Sequence, residues 1–276
     1  EPTCRRVVEA FRRGTLFDIR MDGDGLIACG NPGTQITWMD AKWGDTIFTP
    51  RHGKPVEINA LWYHALRILA ARTVRTDEAG GRELEELADR VQRSFAAVFW
   101  NDSQSCLYDV VREDFRDPAV RPNQIFAVSL PHSPLSRDQQ WAVVTCVERE
   151  LSTPYGLRSL SPRSPGYRGR YEGNSYERDG AYHQGTVWAW LIGPYVEAYL
   201  RVRNFSPRAK QEMRDTLLPL VEHLDEAGLG SVSEVFDGDP PHRPGGCFAQ
   251  AWSVAELLRA WRLASPGDDP PDGQDA

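Results

Sequence analysis

Apolar residues recur three and four positions apart along much of the chain, the spacing of one face of an α-helix. Between residues 57 and 74 this pattern is carried by Ile58, Leu61, Trp62, Ala65, Leu66 and Leu69. Residues 82–100 repeat it after a predicted break at Gly80 and Gly81, with charged residues on the opposite face. Residues 183–203 are apolar nearly all round, which predicts a helix buried on most sides. Further helices are predicted over residues 3–13, 123–130, 136–151, 207–226 and 248–264.

Local signals support the starts of two helices and one turn. Ser136 and Gln139 have the spacing of a capping box. Ser206 followed by Pro207 is typical of an N-cap and a first helical turn. The run MDGDG, around Asp22–Gly25, predicts the turn of a short hairpin.

Three long segments rich in Gly and Pro separate the helical stretches, and they cover residues 31–56, 152–182 and 229–247. About eight helices and few strands predict an all-α toroid, with these loops gathered at one rim. The first loop is unusual because its tryptophans accompany Asp, Lys, Arg and Asn side chains, the residue mix of a carbohydrate site. The alternative interpretation is that Trp38 and Trp43 are core residues and that the charged residues form a rim.

The composition and net charge of the chain restrict the classes of molecule that it is expected to bind. Apolar residues make up 41% and charged residues 26%, and the net charge is −7. An acidic chain does not favour nucleic acid or an anionic membrane as a partner, whereas a neutral substrate is compatible with it. The five cysteines are scattered, with no CxxC pair, and no HxxxH or HExxH spacing occurs. We therefore expect reduced thiols, a cytoplasmic location, no metal and no cofactor.

Hydrolysis of a glycosidic bond needs two carboxyl groups on opposite sides of the bond. The loops offer many candidates, and spacing alone does not choose among them. They are Asp40, Asp45, Glu57, Glu172, Glu177, Asp179, Glu234, Asp237 and Asp239.

Several long motifs resemble those of one known family, and they occur along the chain in the same order as in that family. They are QITWMDAKWGD, TPRHGKPVEINALWYHAL, RPNQIFAVSLPHSPL, RDGAYHQGTVWAWLIGPYVEAYLR and SEVFDGDPPHRPGGCFAQAWSVAELLR. Together they cover roughly residues 5–264 and resemble the C-terminal amylo-α-1,6-glucosidase domain of glycogen debranching enzymes. The resemblance implies an (α/α)6 barrel that removes α-1,6-linked glucose at glycogen branch points, with inversion at the anomeric carbon. Its implied partner is glycogen or another branched α-glucan.

The resemblance also implies roles for individual residues. The general acid of the family is the Asp of TWMDA, here Asp40, and the general base is the Glu of SEVFDG, here Glu234. A general acid must hold its proton near neutral pH, so we expect burial beside Trp38 or Trp43 to raise the pKa of Asp40. The residues that match the substrate-binding motifs are Trp38, Lys42, Arg121, Asn123, Gln124, Tyr182, His183, Gln184 and Trp188.

The number of helices departs from the family. A complete (α/α)6 barrel has twelve, against about eight predicted here, so we expect an incomplete barrel that lacks an N-terminal segment. The predicted organisation is a partial glucosidase domain over residues 1–264 and a disordered tail over residues 265–276. Two other functions stay open: another (α/α)6 glycosidase of the glucoamylase or trehalase type, and a glucan-binding protein without catalysis.

Overall fold

A computed structural model describes residues 2–267 of the chain. Within that range α-helices dominate, and the strands are only two or three residues long. The helices are α1 (Pro2–Arg13), α2 (Val56–Thr73), α3 (Glu78–Phe99), α4 (Phe126–Ser129), α5 (Arg137–Leu151), α6 (Ser175–Tyr182), α7 (Ile192–Val202), α8 (Pro207–Glu222) and α9 (Ala251–Ala264). Short 3₁₀ turns lie at Leu16–Asp18, Pro122–Ile125, Ala189–Leu191 and His223–Asp225.

The helices pack on one another around a shared apolar core. The helix α2 lies against α3, and α7 contacts α4, α5, α8 and α9. Fully buried side chains such as Leu66 of α2, Phe95 of α3 and Tyr195 of α7 belong to the same core cluster. The prediction of an all-α toroid is confirmed. Nine α-helices lie between residues 2 and 267, so the described part of the barrel is incomplete.

The short strands pair only with antiparallel neighbours in the described part of the chain. They are β1 (Arg20–Met21), β2 (Ile27–Ala28), β3 (Lys42–Trp43), β4 (Thr46–Ile47), β5 (Lys54–Pro55), β6 (Trp100–Asn101), β7 (Cys106–Leu107), β8 (Val110–Arg112), β9 (Phe115–Arg116), β10 (Ser152–Thr153), β11 (Gly156–Arg158), β12 (Val187–Trp188), β13 (Val235–Phe236) and β14 (Pro244–Gly245). The largest sheet has the order β10-β11-β12-β13-β14, and it joins two of the long loops to the segment before α7.

The local start signals act as predicted. The Ser136 hydroxyl accepts from the Gln139 backbone N–H, and the Gln139 side chain accepts from the Ser136 backbone N–H, so α5 begins with a complete capping box. Ser206 is the N-cap of α8, and its hydroxyl accepts from the Ala209 backbone N–H. Strands β1 and β2 form the predicted hairpin around Asp22–Gly25.

Gly80 and Gly81 do not break the chain, which corrects the prediction. Both lie inside α3, whose N-cap is Asp77. The carboxylate of Asp77 accepts from the Gly80 backbone N–H at 3.0 Å. A Cβ atom added to Gly81 would lie 2.6 Å from the Cα of Val74. The glycine therefore permits the close approach of the end of α2 to the start of α3.

The predicted helix over residues 183–203 is wrong in its first half. Val187–Trp188 is a strand between β11 and β13, and the α-helix begins at Ile192. Gly185 has a φ of 146°, and a Cβ atom there would lie 2.4 Å from the carbonyl oxygen of Arg168. An apolar run does not distinguish a buried strand from a buried helix, which explains the error.

The loop predicted over residues 152–182 contains a helix, α6. Asn174 is its N-cap, and Glu177 completes a capping box. The spacing Asn-x-x-Glu is a known start signal, so the sequence held a signal for this helix.

The three long loops lie together at one rim, as predicted. Gln184, just after the second loop, donates its side-chain amide to the carbonyl of Phe48 in the first loop. Asp237 of the third loop accepts from the backbone N–H of Tyr171 in the second. Between residues 2 and 267 no helix is long and apolar enough to cross a membrane. Most of the tail predicted as disordered, from residue 268 onward, lies outside the described residues.

Candidate active site

The first loop places Trp38 at the centre of an aromatic cluster. Its indole N–H donates to the side-chain oxygen of Asn123 at 2.7 Å. The edges and faces of its ring meet His183, Trp188 and Trp190 at centroid distances of 5.2, 5.3 and 5.2 Å. These perpendicular contacts are favourable for aromatic pairs. They hold the backbone that leads to Asp40.

Asp40 lies beside this cluster with its side chain 64% exposed. Its carboxylate oxygen Oδ1 is 3.7 Å from Nε2 of His183, a longer separation than a hydrogen bond. Proximity to the His183 imidazole, a potential donor, lowers the pKa of Asp40 and outweighs the opposing effect of partial burial. The expectation of a raised pKa is therefore not met. Trp38 packs on His183 and Trp188, Trp43 is exposed and lies against Tyr176, and Asp40 stays open to water.

His183 is completely buried, and its ring stacks on Trp188 at a centroid distance of 5.2 Å. Burial lowers the pKa of this imidazole, so it is neutral at pH 7. Neither ring nitrogen has a hydrogen-bond partner among the described residues. A buried polar group without a partner is uncommon. Because this imidazole also lies next to Asp40, we assign both residues to the candidate active site.

Glu234 lies in the third loop, directly before β13, and three donors converge on its carboxylate. Oε1 accepts from the Tyr182 hydroxyl at 2.6 Å and from the Gln250 amide at 3.3 Å. Oε2 accepts from the backbone N–H of Cys247 at 2.8 Å. A carboxylate has about four acceptor positions, so one direction is left for a water molecule.

Tyr182 links the two carboxyl groups. Burial, followed by the nearby Glu234 carboxylate, raises the pKa of this phenol, so Tyr182 keeps its proton and donates a hydrogen bond to Glu234. Its ring lies 5.0 Å from the ring of His183, centroid to centroid. Asp40 and Glu234 thus contact two neighbouring residues of the chain, His183 and Tyr182, and belong to one site.

A buried network of charged side chains contacts the first loop and its Trp38. The Arg51 guanidinium donates two hydrogen bonds to the Glu57 carboxylate, and the Arg51 Nε donates to Asp109 at 2.7 Å. Asp109 also accepts from the amide of Asn123 at 2.7 Å, and Asn123 holds Trp38. Burial opposes the charge of Arg51, but Asp109 and Glu57 raise its pKa above the usual value. The loop that carries Asp40 is therefore tied to an ion cluster in the core.

Arg121 forms a second set of buried hydrogen bonds, which reach the backbone of the same site. Its guanidinium donates to the carbonyls of Ser159 and His183 at 3.1 and 2.6 Å. It also donates to the side-chain oxygen of Gln184 at 2.7 Å. The Arg121 side chain is only 6% exposed. Its donors are used to position the His183 backbone.

The remaining residues expected to bind substrate differ in exposure. Gln124 is buried, accepts from the backbone N–H of Leu107 and donates to the Arg121 carbonyl. Trp188 is buried and donates its indole N–H to the carbonyl of Tyr182. Lys42 is exposed on β3 and forms no hydrogen bond or ion pair with the described residues. The structure thus links eight of the nine predicted residues to one another and to the two carboxyl groups through hydrogen bonds, ring contacts and the approach of His183 to Asp40. Lys42 is not part of this set of contacts among the described residues.

Sequence reasoning missed three groups of this site: the Cys247 backbone N–H, the Gln250 amide, and Asp109. The first two lie in the motif PGGCFAQAW but carry no spacing signal of their own. Gly246, with a φ of 68°, lets the chain turn over Glu234, because an added Cβ atom would lie 2.4 Å from Oε2. Within residues 2–267, no three His, Cys, Asp or Glu side chains are grouped so that they could hold a metal ion.

Solved structures with a similar fold define the class. Neutral trehalase Nth1 from Saccharomyces cerevisiae matches 76% of this chain and 38% of its own, with a TM-score of 0.57 and 16% identity. The GH63 mannosylglycerate hydrolase from Thermus thermophilus matches 75% of this chain and 45% of its own, with a TM-score of 0.52 and 20% identity. At these identities the likeness concerns the fold, which is that of the (α/α)6 barrel enzymes.

The family follows from the sequence. The model of the amylo-alpha-1,6-glucosidase family matches residues 2–259, and the chain belongs to that family. The glycogen debranching enzyme of Saccharomyces cerevisiae is 26% identical over an alignment of 248 positions, and the match covers 74% of this chain and 16% of the yeast protein. The chain therefore spans a minor part of the length of this yeast relative.

Proposed function

We propose that this chain hydrolyses the α-1,6-linked glucose at the branch points of glycogen or a similar α-glucan, with inversion. The observation that supports it best is that Asp40 lies beside His183 while Glu234 accepts from the hydroxyl of the neighbouring residue Tyr182. The family membership and the distant yeast relative agree with this substrate class. The five free cysteines agree with the cytoplasmic location that we propose.

In the proposed mechanism Glu234 is the general base. Its orientation is set by the Tyr182 hydroxyl, the Cys247 backbone N–H and the Gln250 amide. The remaining acceptor direction takes a water molecule, and Glu234 removes its proton as the water attacks the anomeric carbon. Inversion requires room for this water, so we expect the two carboxyl groups to lie about 6.5–9.5 Å apart.

Asp40 is the proposed general acid, which protonates the leaving glycosidic oxygen. In the free protein its carboxyl is exposed and its pKa is lowered by His183. A bound sugar ring displaces water from this carboxyl, and desolvation favours the neutral acid. Substrate binding is thus the step that prepares Asp40 to hold a proton.

Two substitutions test these roles. Asp40→Asn and Glu234→Gln keep the shape of the side chains, and each should lower kcat by roughly 10²–10⁴-fold with little change in KM. Matched controls are Asp45→Asn in the same loop as Asp40, and Glu172→Gln, whose exposed carboxylate pairs with Arg243 at 3.1 Å. Both controls should keep wild-type kinetics. Wild-type turnover by Asp40→Asn would refute its assignment as the acid.

The substrate and the stereochemistry are tested separately. The wild-type chain should release glucose from panose, isomaltose and a branched limit dextrin faster than from maltose or trehalose. Inversion of an α-linkage releases β-glucose first, which proton NMR detects before mutarotation. Initial release of α-glucose would contradict the inverting mechanism. Binding of branched glucan without any turnover would favour a non-catalytic role, and preferred turnover of trehalose would favour a trehalase.

A further inference from the structure

A cavity lies beside Arg121 and Gln184 of the candidate active site. Its volume is about 910 Å³, and it opens between the β6–β7 hairpin, the end of α5 and residues 160–166. Asp40 and Glu234 do not line it. Ligand sites for small molecules usually have volumes of roughly 300–1,000 Å³, so this cavity has the size of a binding site.

The charges in this cavity are unusual for an acidic protein. Four arginines line it, together with only two carboxyl groups, Asp117 and Glu150. One of these carboxylates, Glu150, is already shared by Arg149 and Arg163 at 2.9 and 3.3 Å. Burial raises the pKa of the other, Asp117. Even with both carboxyl groups ionised, the four guanidinium groups outnumber them. The cavity is therefore positively charged inside a chain whose net charge is −7.

Among the four lining arginines, Arg112 carries a positive charge that no carboxylate of the described residues pairs with. Its guanidinium lies 2.9 Å from Nε2 of His52 and 4.5 Å above the Phe115 ring. Burial lowers the pKa of His52, so the imidazole is neutral and does not balance the charge. Within residues 2–267 no carboxylate lies within ion-pair distance of Arg112. A guanidinium held by an aromatic ring and a neutral imidazole is oriented but not neutralised.

Neutral polar side chains also line the cavity. The lining includes Ser103, Gln104, Ser105 and Ser164, which can both donate and accept hydrogen bonds. Such groups match the hydroxyls of a sugar. Arginine guanidinium groups match the planar pairs of oxygens of a phosphate ester. Phe115 is the aromatic ring in the lining, and Arg112 covers one of its faces, so the cavity offers no pair of rings for a nucleotide base.

We propose that this cavity is a binding site for a phosphate monoester of a hexose, with the phosphate on Arg112 and the hydroxyls on the serine and glutamine side chains. The ester can come from a free sugar phosphate or from a phosphorylated glucose unit within a glucan chain. Arg121 and Gln184, which belong to the candidate active site, also line this cavity. The proposed carboxyl groups of the hydrolysis, Asp40 and Glu234, do not line it, so the proposal does not depend on that hydrolysis.

Isothermal titration calorimetry of the full chain tests the proposal with glucose 6-phosphate and with a maltooligosaccharide phosphorylated at a 6-hydroxyl. Inorganic phosphate, glucose and unphosphorylated maltotriose are the comparison ligands. We expect a phosphorylated sugar to bind more tightly than all three, and less tightly at high salt, because salt screens charge. Tighter binding of the free or the glucan-borne ester identifies the source. Equal binding of inorganic phosphate or of neutral sugars, or no binding at all, would overturn the proposal.

Variants locate the site. Arg112→Gln should weaken binding of the phosphorylated sugar by roughly 10- to 100-fold, the effect of losing a charged hydrogen bond. Arg163→Gln, at a side chain that is 73% exposed, should weaken it less and serves if Arg112→Gln does not fold. Arg82→Gln, at a surface pair with Glu78, is the control and should bind as wild type. Glu234→Gln should also bind as wild type. Unchanged affinity in both cavity variants, or loss of binding in Glu234→Gln, would show that the ligand sits elsewhere.

Discussion

Replacing Arg51 by methionine should destabilise the protein severely, because Arg51 neutralises two buried carboxylates. The exposed fractions of the side chains are 2% for Arg51, 5% for Glu57 and 1% for Asp109. Arg51 donates two hydrogen bonds to each carboxylate through its side-chain nitrogens. Methionine fills similar space but leaves both carboxylates without their cation.

The magnitude follows from the burial. Breaking a buried ion pair by removing one partner costs about 3–5 kcal/mol, because the remaining charge stays uncompensated. Here two carboxylates are left, so we expect Arg51→Met to cost at least the lower end of that range. Folded domains are stable by about 5–15 kcal/mol, so this loss is a large part of the total.

Urea unfolding followed by tryptophan fluorescence measures this loss as a change in the free energy of unfolding. The matched control is Arg208→Met, whose pair with Glu212 at 2.9 Å lies at the surface, with Arg208 89% exposed. The control should unfold at the wild-type urea concentration, because surface pairs contribute little. Adding Asp109→Asn to Arg51→Met should recover part of the loss, since one buried charge is removed. A loss below about 1 kcal/mol in Arg51→Met would refute the reasoning.

Two further predictions concern stability, and both are checked by unfolding. Burial raises the pKa of Asp117 in the folded protein. The protonated form of this side chain therefore favours folding relative to the ionised form. This stabilisation is complete below the unfolded pKa of Asp117 and is lost as pH rises through its folded pKa. Asp117→Asn should therefore raise the melting temperature at pH 7 relative to wild type, with no gain at pH 3; an equal loss at both pH values would contradict this. Ser136→Ala removes the hydroxyl of the α5 capping box and should cost about 0.5–2 kcal/mol in urea unfolding. An unchanged midpoint in that variant would show that the cap contributes nothing.

The outcome at residues 183–191 shows where sequence patterns fail. Val187 and Trp188 are apolar and fully buried, as a helix there would also require. Their partners are Leu157 and Arg158 on one side and Val235 and Phe236 on the other. No pattern within the segment reports these distant strands, so its hydrophobicity predicted burial correctly and conformation wrongly.

The sequence by itself determined what depends on neighbours along the chain. The amphipathic spacing of α2 and α3, the capping box at Ser136 and the hairpin at Asp22–Gly25 each involve residues within a few positions of one another. Long motifs also predicted the family that the comparison then confirmed. These features are local, or are read directly from residue identity.

Only the tertiary structure decided how the candidate site is held. The Tyr182 hydroxyl meets Glu234 across 52 positions of sequence, and the Arg51 guanidinium meets Asp109 across 58. It also decided the exposure of Asp40, because Trp38 packs on His183 and Trp188 and Trp43 lies against Tyr176 instead of covering the carboxyl group. Contacts between residues far apart in sequence depend on how the helices and loops pack, and local periodicity contains no record of that packing.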